Sequence, residues 1–137
     1  MPKSSSSPFT SDMFDDVAEF HQKVIKQDPE PSPSLISLEF CIERFRFMQE
    51  ELDEFVNAGS AGNIVDVADA LADIIYVALG TAYLMKLPFP GIWDVVHSAN
   101  MRKVAGPTKR GNKFDAMKPA GWQGPEPLIA KLIGDEI

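Results

Sequence analysis

The sequence predicts an all-α fold, a four-helix bundle core followed by a non-helical C-terminal arm. Two observations carry that prediction. Apolar residues recur at spacings of three and four along successive stretches, the period of a helix with one buried face. No stretch alternates apolar and polar residues as a half-buried strand does, and no internal repeat stands out. A third feature orders the rest: an apolar helix from Ile64 to Met85 carries Asp66, Asp69 and Asp73. Leu71, Ile74, Ile75, Ala78, Ala68 and Ile64 fall on one of its faces and the three Asp on the other. Beyond Asp73 that other side continues as Tyr76, Val77, Gly80 and Leu84, so the helix is expected to be buried on all sides.

In chain order, residues 1–11 are polar and Ser-rich and read as a disordered leader. Ser11 or Asp12 caps a first helix, whose stripe is Phe14, Val17, Ala18, Phe20, Val24 and Ile25. It ends near Gln27, before Pro29, Pro31 and Pro33, which impose a stiff extended connector. A second helix runs from Ser34 or Ser37 to Ala58 with Cys41, Phe45, Met48, Leu52 and Phe55 as its core stripe. Gly59-Ser60-Ala61-Gly62 turns the chain, and Asn63 caps the third helix. Leu87-Pro88-Phe89-Pro90 stops it, and a fourth helix spans Ile92 to about Val104. Helical periodicity is lost from Ala105, and a short last helix is expected at Glu126 to Ile133. The domain reading is therefore a helical domain at 12–104, completed by an arm at 105–137.

The bulk numbers exclude several classes. A chain of 137 residues with 45% hydrophobic and 24% charged content is one ordinary globular domain. The net charge of −7 argues against a nucleic-acid polymer as partner. Cys41 is the only cysteine, which rules out a disulfide framework and a Cys-type zinc site and suits a small core residue. No apolar run reaches the roughly 20 residues of a membrane span, and no signal peptide is visible, so the expected location is the cytoplasm and no membrane partner is expected.

The chemistry sits in two acidic runs. Helix two carries Glu50-Glu51-Leu52-Asp53-Glu54, with Glu51 on the flank of the core stripe, Glu54 further round and Glu50 pointing away. The short turn makes helices two and three antiparallel, so Glu51 and Glu54 can face Asp69 and Asp73. An acidic run alone is usually a solvated helix face. Two runs meeting in apolar surroundings are instead costly unless paired or bound to a cation. Four carboxylates without His or Cys select a hard divalent ion, Mg²⁺ first and Mn²⁺ as substitute, which suits phosphate-bearing substrates. Phosphates also need positive partners, for which Lys103, Lys109, Arg110, Lys113 and Lys118 are available.

Glu50-Glu51-Leu52-Asp53-Glu54 resembles the EExxE signature of the all-α nucleoside triphosphate pyrophosphohydrolases, the MazG-like group that includes dimeric dUTPases and dCTP pyrophosphatases. Asp69-Ala70-Leu71-Ala72-Asp73-Ile74-Ile75-Tyr76-Val77 is similar to the second acidic motif, and His97-Ser98-Ala99-Asn100-Met101-Arg102-Lys103 to the Asn/Lys segment. Lys118-Pro119-Ala120-Gly121-Trp122 looks like the tail of a phage and bacterial subgroup. The resemblance covers residues 14 to 123 and departs at Ala70, where the usual motif has Glu.

The resemblance implies Mg²⁺-dependent hydrolysis of a (deoxy)nucleoside triphosphate between the α and β phosphates to the monophosphate and pyrophosphate, the expected substrate being a pyrimidine such as dUTP or dCTP, or a non-canonical nucleotide. Glu51, Glu54, Asp69 and Asp73 are the expected metal ligands, and Glu50 a further metal contact or the group that holds the attacking water. Asn100 and Lys103 are expected to contact the nucleotide, with Lys118 as a further phosphate partner. Tyr76 and Trp122 either stack on a base or belong to the core, and His21 either meets the base, as a first-helix His does in related dCTP pyrophosphatases, or packs. His97 reads as a helix residue beside Asn100.

Two other readings compete. A di-iron carboxylate bundle needs paired Glu-x-x-His motifs, and only Asp94 to His97 approximates one. A nucleotide-binding protein without catalysis would account for Ala70. Surplus apolar helix surface is most simply closed by a homodimer with two-fold symmetry, as the resemblance also implies, or by a dimer of dimers.

Overall fold

A computed structural model describes residues 8–107 and 114–136, with side chains given for 13–107 and 114–135. The protein is predominantly helical. In order come α1 (Pro8–Phe20), a π-helical turn (His21–Ile25), α2 (Leu38–Ser60), α3 (Ile64–Leu84), α4 (Phe89–Met101), β1 (Val104–Gly106), β2 (Asp115–Met117) and α5 (Glu126–Glu136). Among the described residues no helix is long and apolar enough to cross a membrane. The chain forms two compact units, Met1–Phe89 and Pro90–Ile137.

In the first unit α1 starts at Pro8, ahead of the expected Ser11 or Asp12 cap. Proline suits a first helical turn, because its missing N–H would have had no partner there. Residues 1–7 of the expected leader lie outside the described residues. Lys26 ends the π-helical turn in the left-handed region, at φ 59°. The proline-rich connector then lies along the end of α3, where Glu30 N–H donates to Leu84 O at 2.9 Å and Ser34 N–H to Met85 O at 3.1 Å.

Ser37 caps α2, its Oγ accepting from Phe40 N–H at 3.1 Å. Asn63 caps α3 in the same way, accepting from Asp66 N–H at 3.1 Å. Between them Gly62 turns the chain at φ 70°, which glycine adopts without strain. The turn is short enough to lay α2 and α3 antiparallel, and they form the main packing of this unit, with α1 against α3.

The buried side of α2 differs from the expected stripe. Arg44 and Ala58 are buried and Met48 and Glu51 half-buried, whereas Cys41, Phe45, Leu52 and Phe55 are exposed. At about 100° per residue the packed face is rotated by roughly 65° from the expected one, because the residues that fill it include a cation and a carboxylate that hydropathy does not count as core. On α3 the expected all-round burial also fails: Ala70, Leu79, Gly80, Ala82 and Leu84 are buried, but Ile64 (79% exposed), Leu71 and Ile75 face out.

The second unit holds most of α4, which starts at Phe89, earlier than expected. The arm is not free of regular structure. β1 and β2 pair antiparallel in the register Val104↔Met117, Ala105↔Ala116, Gly106↔Asp115, and α5 follows. Three-residue strands are too short to show alternation, which is why the sequence pattern misses them.

Candidate active site

The antiparallel register of α2 and α3 places one end of each helix against the opposite end of the other. Toward the turn, Glu51 and Glu54 of α2 meet Asp69 and Asp73 of α3 in one electrostatic cluster. Burial holds the Glu51 carboxyl above the ordinary carboxylate range, and a hydrogen bond with Glu54 and the charges of Glu54, Asp73 and Asp69 push it the same way. Burial also raises Asp73, helped by Asp69 and Glu54. Glu51 Oε2 is buried without a hydrogen-bond partner. Such an atom is costly unless a donor or cation meets it.

Among the described residues no three acidic, His or Cys side chains are already closed round a cation position. The charges of Glu54, Asp69 and Asp73 act on Glu51 beside its burial, and a bound cation would relieve that repulsion. A hard cation would be met by rotating side chains already within one another's field, and the buried, unpartnered Glu51 oxygen is the atom that most needs it. Donors that are all carboxylate oxygens suit a hard cation such as Mg²⁺ or Mn²⁺ by their chemistry.

A cavity of about 470 Å³ opens beside the cluster, lined by Glu54, Asn57, Ala58, Ala61, Asn63, Asp66 and Asp69. Glu50 is exposed and is not among the groups that act on Glu51. Ala70, where the resembled motif has Glu, is 1% exposed within the packed side of α3. Ala70→Glu would force a longer, charged side chain into that packing. We expect it to lower stability by about 3 kcal/mol, read as a shift of the urea midpoint at unchanged slope.

At the far end of the same helix pair the expected His21 lies beside Arg44, a residue that sequence reasoning missed. Arg44, 8% exposed, donates from Nε to Thr81 Oγ1 at 3.0 Å and from Nη2 to Val77 O at 3.0 Å, with Phe47 under its guanidinium at 5.5 Å. His21, 2% exposed, stacks on Tyr83 at 5.3 Å, and its Nδ1 has no partner. Burial and then the Arg44 charge lower its pKa, which keeps the ring neutral. Gly80 leaves room for both side chains: a Cβ there would sit 2.7 Å from His21 Nε2 and 2.8 Å from Arg44 Nη2. An Arg on the Met48 side of α2 and a Gly inside an apolar helix were the available signals.

Tyr76 packs edge-on against Phe20, with ring centres 5.4 Å apart. It also lines an apolar cleft of about 210 Å³ with Met13, Asp16, Val17, Ala72, Ile75 and Leu79. Burial, then Asp16 and Glu19, raise its hydroxyl pKa.

The remaining expected substrate contacts lie in the second unit. Asn100 is exposed on α4. Trp122 is half-buried, its Nε1–H donating to Ala99 O at 2.7 Å, with Lys103 Nζ and Lys118 Nζ each 5.2 Å from the centre of its ring. Lys109, Arg110 and Lys113 lie outside the described residues.

No curated protein matches the chain. A family model described as phosphoribosyl-ATP pyrophosphohydrolase matches residues 17–100, a span that contains α2, α3 and all four clustered carboxylates. That span is more than half of the 137 residues. By this match and its helical fold, the chain belongs to the phosphoribosyl-ATP pyrophosphohydrolase family, all-α hydrolases of nucleotide phosphoanhydrides related to the MazG-like superfamily.

Proposed function

We propose that this protein is a Mg²⁺-dependent nucleoside triphosphate pyrophosphohydrolase that cleaves its substrate between the α and β phosphates, releasing the monophosphate and pyrophosphate. The substrate class we favour is a pyrimidine deoxynucleotide, dUTP or dCTP, or a non-canonical nucleotide. The observation that carries this reading is the cluster of Glu51, Glu54, Asp69 and Asp73, with the buried, unpartnered Glu51 oxygen at its centre and a polar cavity beside it.

Glu51, Glu54, Asp69 and Asp73 would hold Mg²⁺, with Mn²⁺ as substitute. The ion, when bound, neutralises phosphate oxygens and lowers the pKa of a coordinated water. The protein's own groups do the rest. Glu54 and Asp69 border both the carboxylate cluster and the cavity, which makes the cavity the side from which a phosphate chain would approach a cation held by the cluster. Glu50, outside the cluster, is the carboxylate we assign to orient or deprotonate the attacking water. The cleft at Tyr76 offers an apolar wall for a base, with Asp16 at its edge.

Phe45 (61% exposed), Leu52 and Val56 on α2 and Ile64, Leu71 and Ile75 on α3 form apolar surface that a second copy would cover, so we propose a homodimer, alone or paired into a tetramer. Leu71→Glu should reduce the sedimentation coefficient of the dimer to that of a folded monomer. A wild-type protein that already sediments as a monomer would overturn the assembly.

The test of function is pyrophosphate release from a panel of canonical and modified nucleoside triphosphates and phosphoribosyl-ATP, with Mg²⁺, Mn²⁺ or chelator. Metal-dependent release supports the reading and names the substrate. Orthophosphate release would move the cleaved bond, and nucleotide binding without any hydrolysis would favour a non-catalytic binder.

A further inference from the structure

The cations of this acidic chain are unevenly spread along its sequence. Six of its 13 Lys and Arg residues fall between positions 102 and 118, with Asp115 the one acid in that span. Among the described residues the one ion pair is Lys23 with Glu19, at 3.0 Å, far away in the sequence. Lys103 and Lys118 are held differently: each places its ammonium 5.2 Å from the centre of the Trp122 ring.

A ring attracts an ammonium through its quadrupole but leaves the positive charge intact, whereas a carboxylate partner would cancel it. The indole is itself fixed by the 2.7 Å hydrogen bond from Nε1–H to Ala99 O. Trp122 therefore works as a post that brings two unneutralised ammonium groups to one side chain, from just before β1 and from just beyond β2. Holding like charges there is unfavourable until an anion arrives. Arg102 lies next to Lys103, its guanidinium held by Ser98 O at 3.1 Å, Ser98 Oγ at 2.8 Å and Gln123 O. It lines a cavity of about 350 Å³ with Pro119, Ala120, Gly121, Trp122 and Gln123.

We infer that Lys103, Trp122 and Lys118 form a metal-independent cradle for a di- or triphosphate chain, with Trp122 organising the lysines and not stacking on a base. A single phosphate cannot meet two separately held ammonium groups as well as a chain of two or three can. The choice of a nucleotide's triphosphate chain as the natural ligand rests on the proposed substrate class.

The test uses the full chain with Trp93→Phe, which leaves Trp122 as the sole tryptophan. Its fluorescence is followed while inorganic tripolyphosphate, pyrophosphate or orthophosphate is added in excess chelator. Tripolyphosphate should give a saturable change, pyrophosphate a weaker one and orthophosphate none. Lys103→Gln and Lys118→Gln should each weaken tripolyphosphate binding at least tenfold, and Lys118→Arg should restore most of it. Both lysines carry exposed or half-exposed side chains, so the variants should keep the wild-type circular dichroism.

The inference is overturned if wild type shows no saturable change, if both Gln variants bind as wild type, or if binding requires Mg²⁺ and is lost in Glu54→Gln. Tighter binding of a short single-stranded oligonucleotide than of tripolyphosphate would also overturn it. Saturable tripolyphosphate binding alongside failed pyrophosphate release would sink the proposed reaction and leave the cradle standing.

Discussion

Glu54→Gln is expected to lower metal-dependent pyrophosphate release by more than about 100-fold while making the metal-free protein more stable. Loss of a partner outside a metal's ligand set typically costs about 10–100-fold, so loss of a ligand should exceed that. The stability gain has the opposite origin. Glu54 contributes to raising both Glu51 and Asp73 through its charge, and to raising Glu51 through a hydrogen bond. A Gln amide removes that repulsion and can donate to the Glu51 carboxylate, a net gain of about 1 kcal/mol.

The pH dependence follows from the same shifts. A carboxyl raised in the folded state binds its proton more tightly folded than unfolded. Glu51 and Asp73 therefore favour folding below the ordinary carboxylate range, and that contribution is lost as pH rises through their folded values. Metal-free thermal melts should show wild type losing more stability than Glu54→Gln between about pH 4 and pH 7, and Mg²⁺ should reverse the order at pH 7. Asp73→Asn should behave alike. A Glu54→Gln protein that releases pyrophosphate at the wild-type rate would remove the cluster from catalysis.

Gly80→Ala should cost about 3 kcal/mol of unfolding free energy. On an open helix the same change would stabilise by about 1 kcal/mol, because glycine is a poor helix former. Here packing decides the sign. The new methyl carbon would lie 2.7 Å from His21 Nε2 and 2.8 Å from Arg44 Nη2. Arg44 cannot swing away without giving up its bonds to Thr81 and Val77, and His21 is held against Tyr83. The check is urea unfolding of Gly80→Ala in wild-type and His21→Ala backgrounds. A smaller loss in the second background identifies the imidazole as the obstacle. Unchanged or improved stability in the first would mean that both side chains yield freely.

Arg44 and His21 also explain why α2 and α3 keep a single register. Arg44 bonds Val77 and Thr81 near one end of the pair, while Glu51 meets Asp69 and Asp73 toward the other. A slip of one turn would leave a buried guanidinium without acceptors, which is far costlier than mismatched apolar contacts. The polar ends thus hold the carboxylates opposite one another, and the apolar middle supplies burial.

Much of this was legible beforehand because it depends on neighbours in the chain. Ser37 and Asn63 cap their helices through contacts three residues away, and the Gly62 turn dictates an antiparallel return. The spacing of Glu51 with Glu54 and of Asp69 with Asp73 needs only the helical period to put each pair on one side of its helix. The all-α class, the extents of α2 and α3 and the meeting of four carboxylates followed from such local facts.

The tertiary structure decided what periodicity cannot. Which face of an amphipathic helix is buried depends on the partner helix. The face holding Arg44 and Glu51 is packed while Phe45 and Leu52 stay exposed; Arg44 can be buried there because Thr81 Oγ1 and Val77 O accept its hydrogen bonds, partners that the sequence of α2 does not contain. The hairpin of β1 and β2 rests on three residues a side, too few to carry a pattern. The bond from Trp122 to Ala99 and the ammonium groups against its ring join residues separated along the chain, and only folding brings them together.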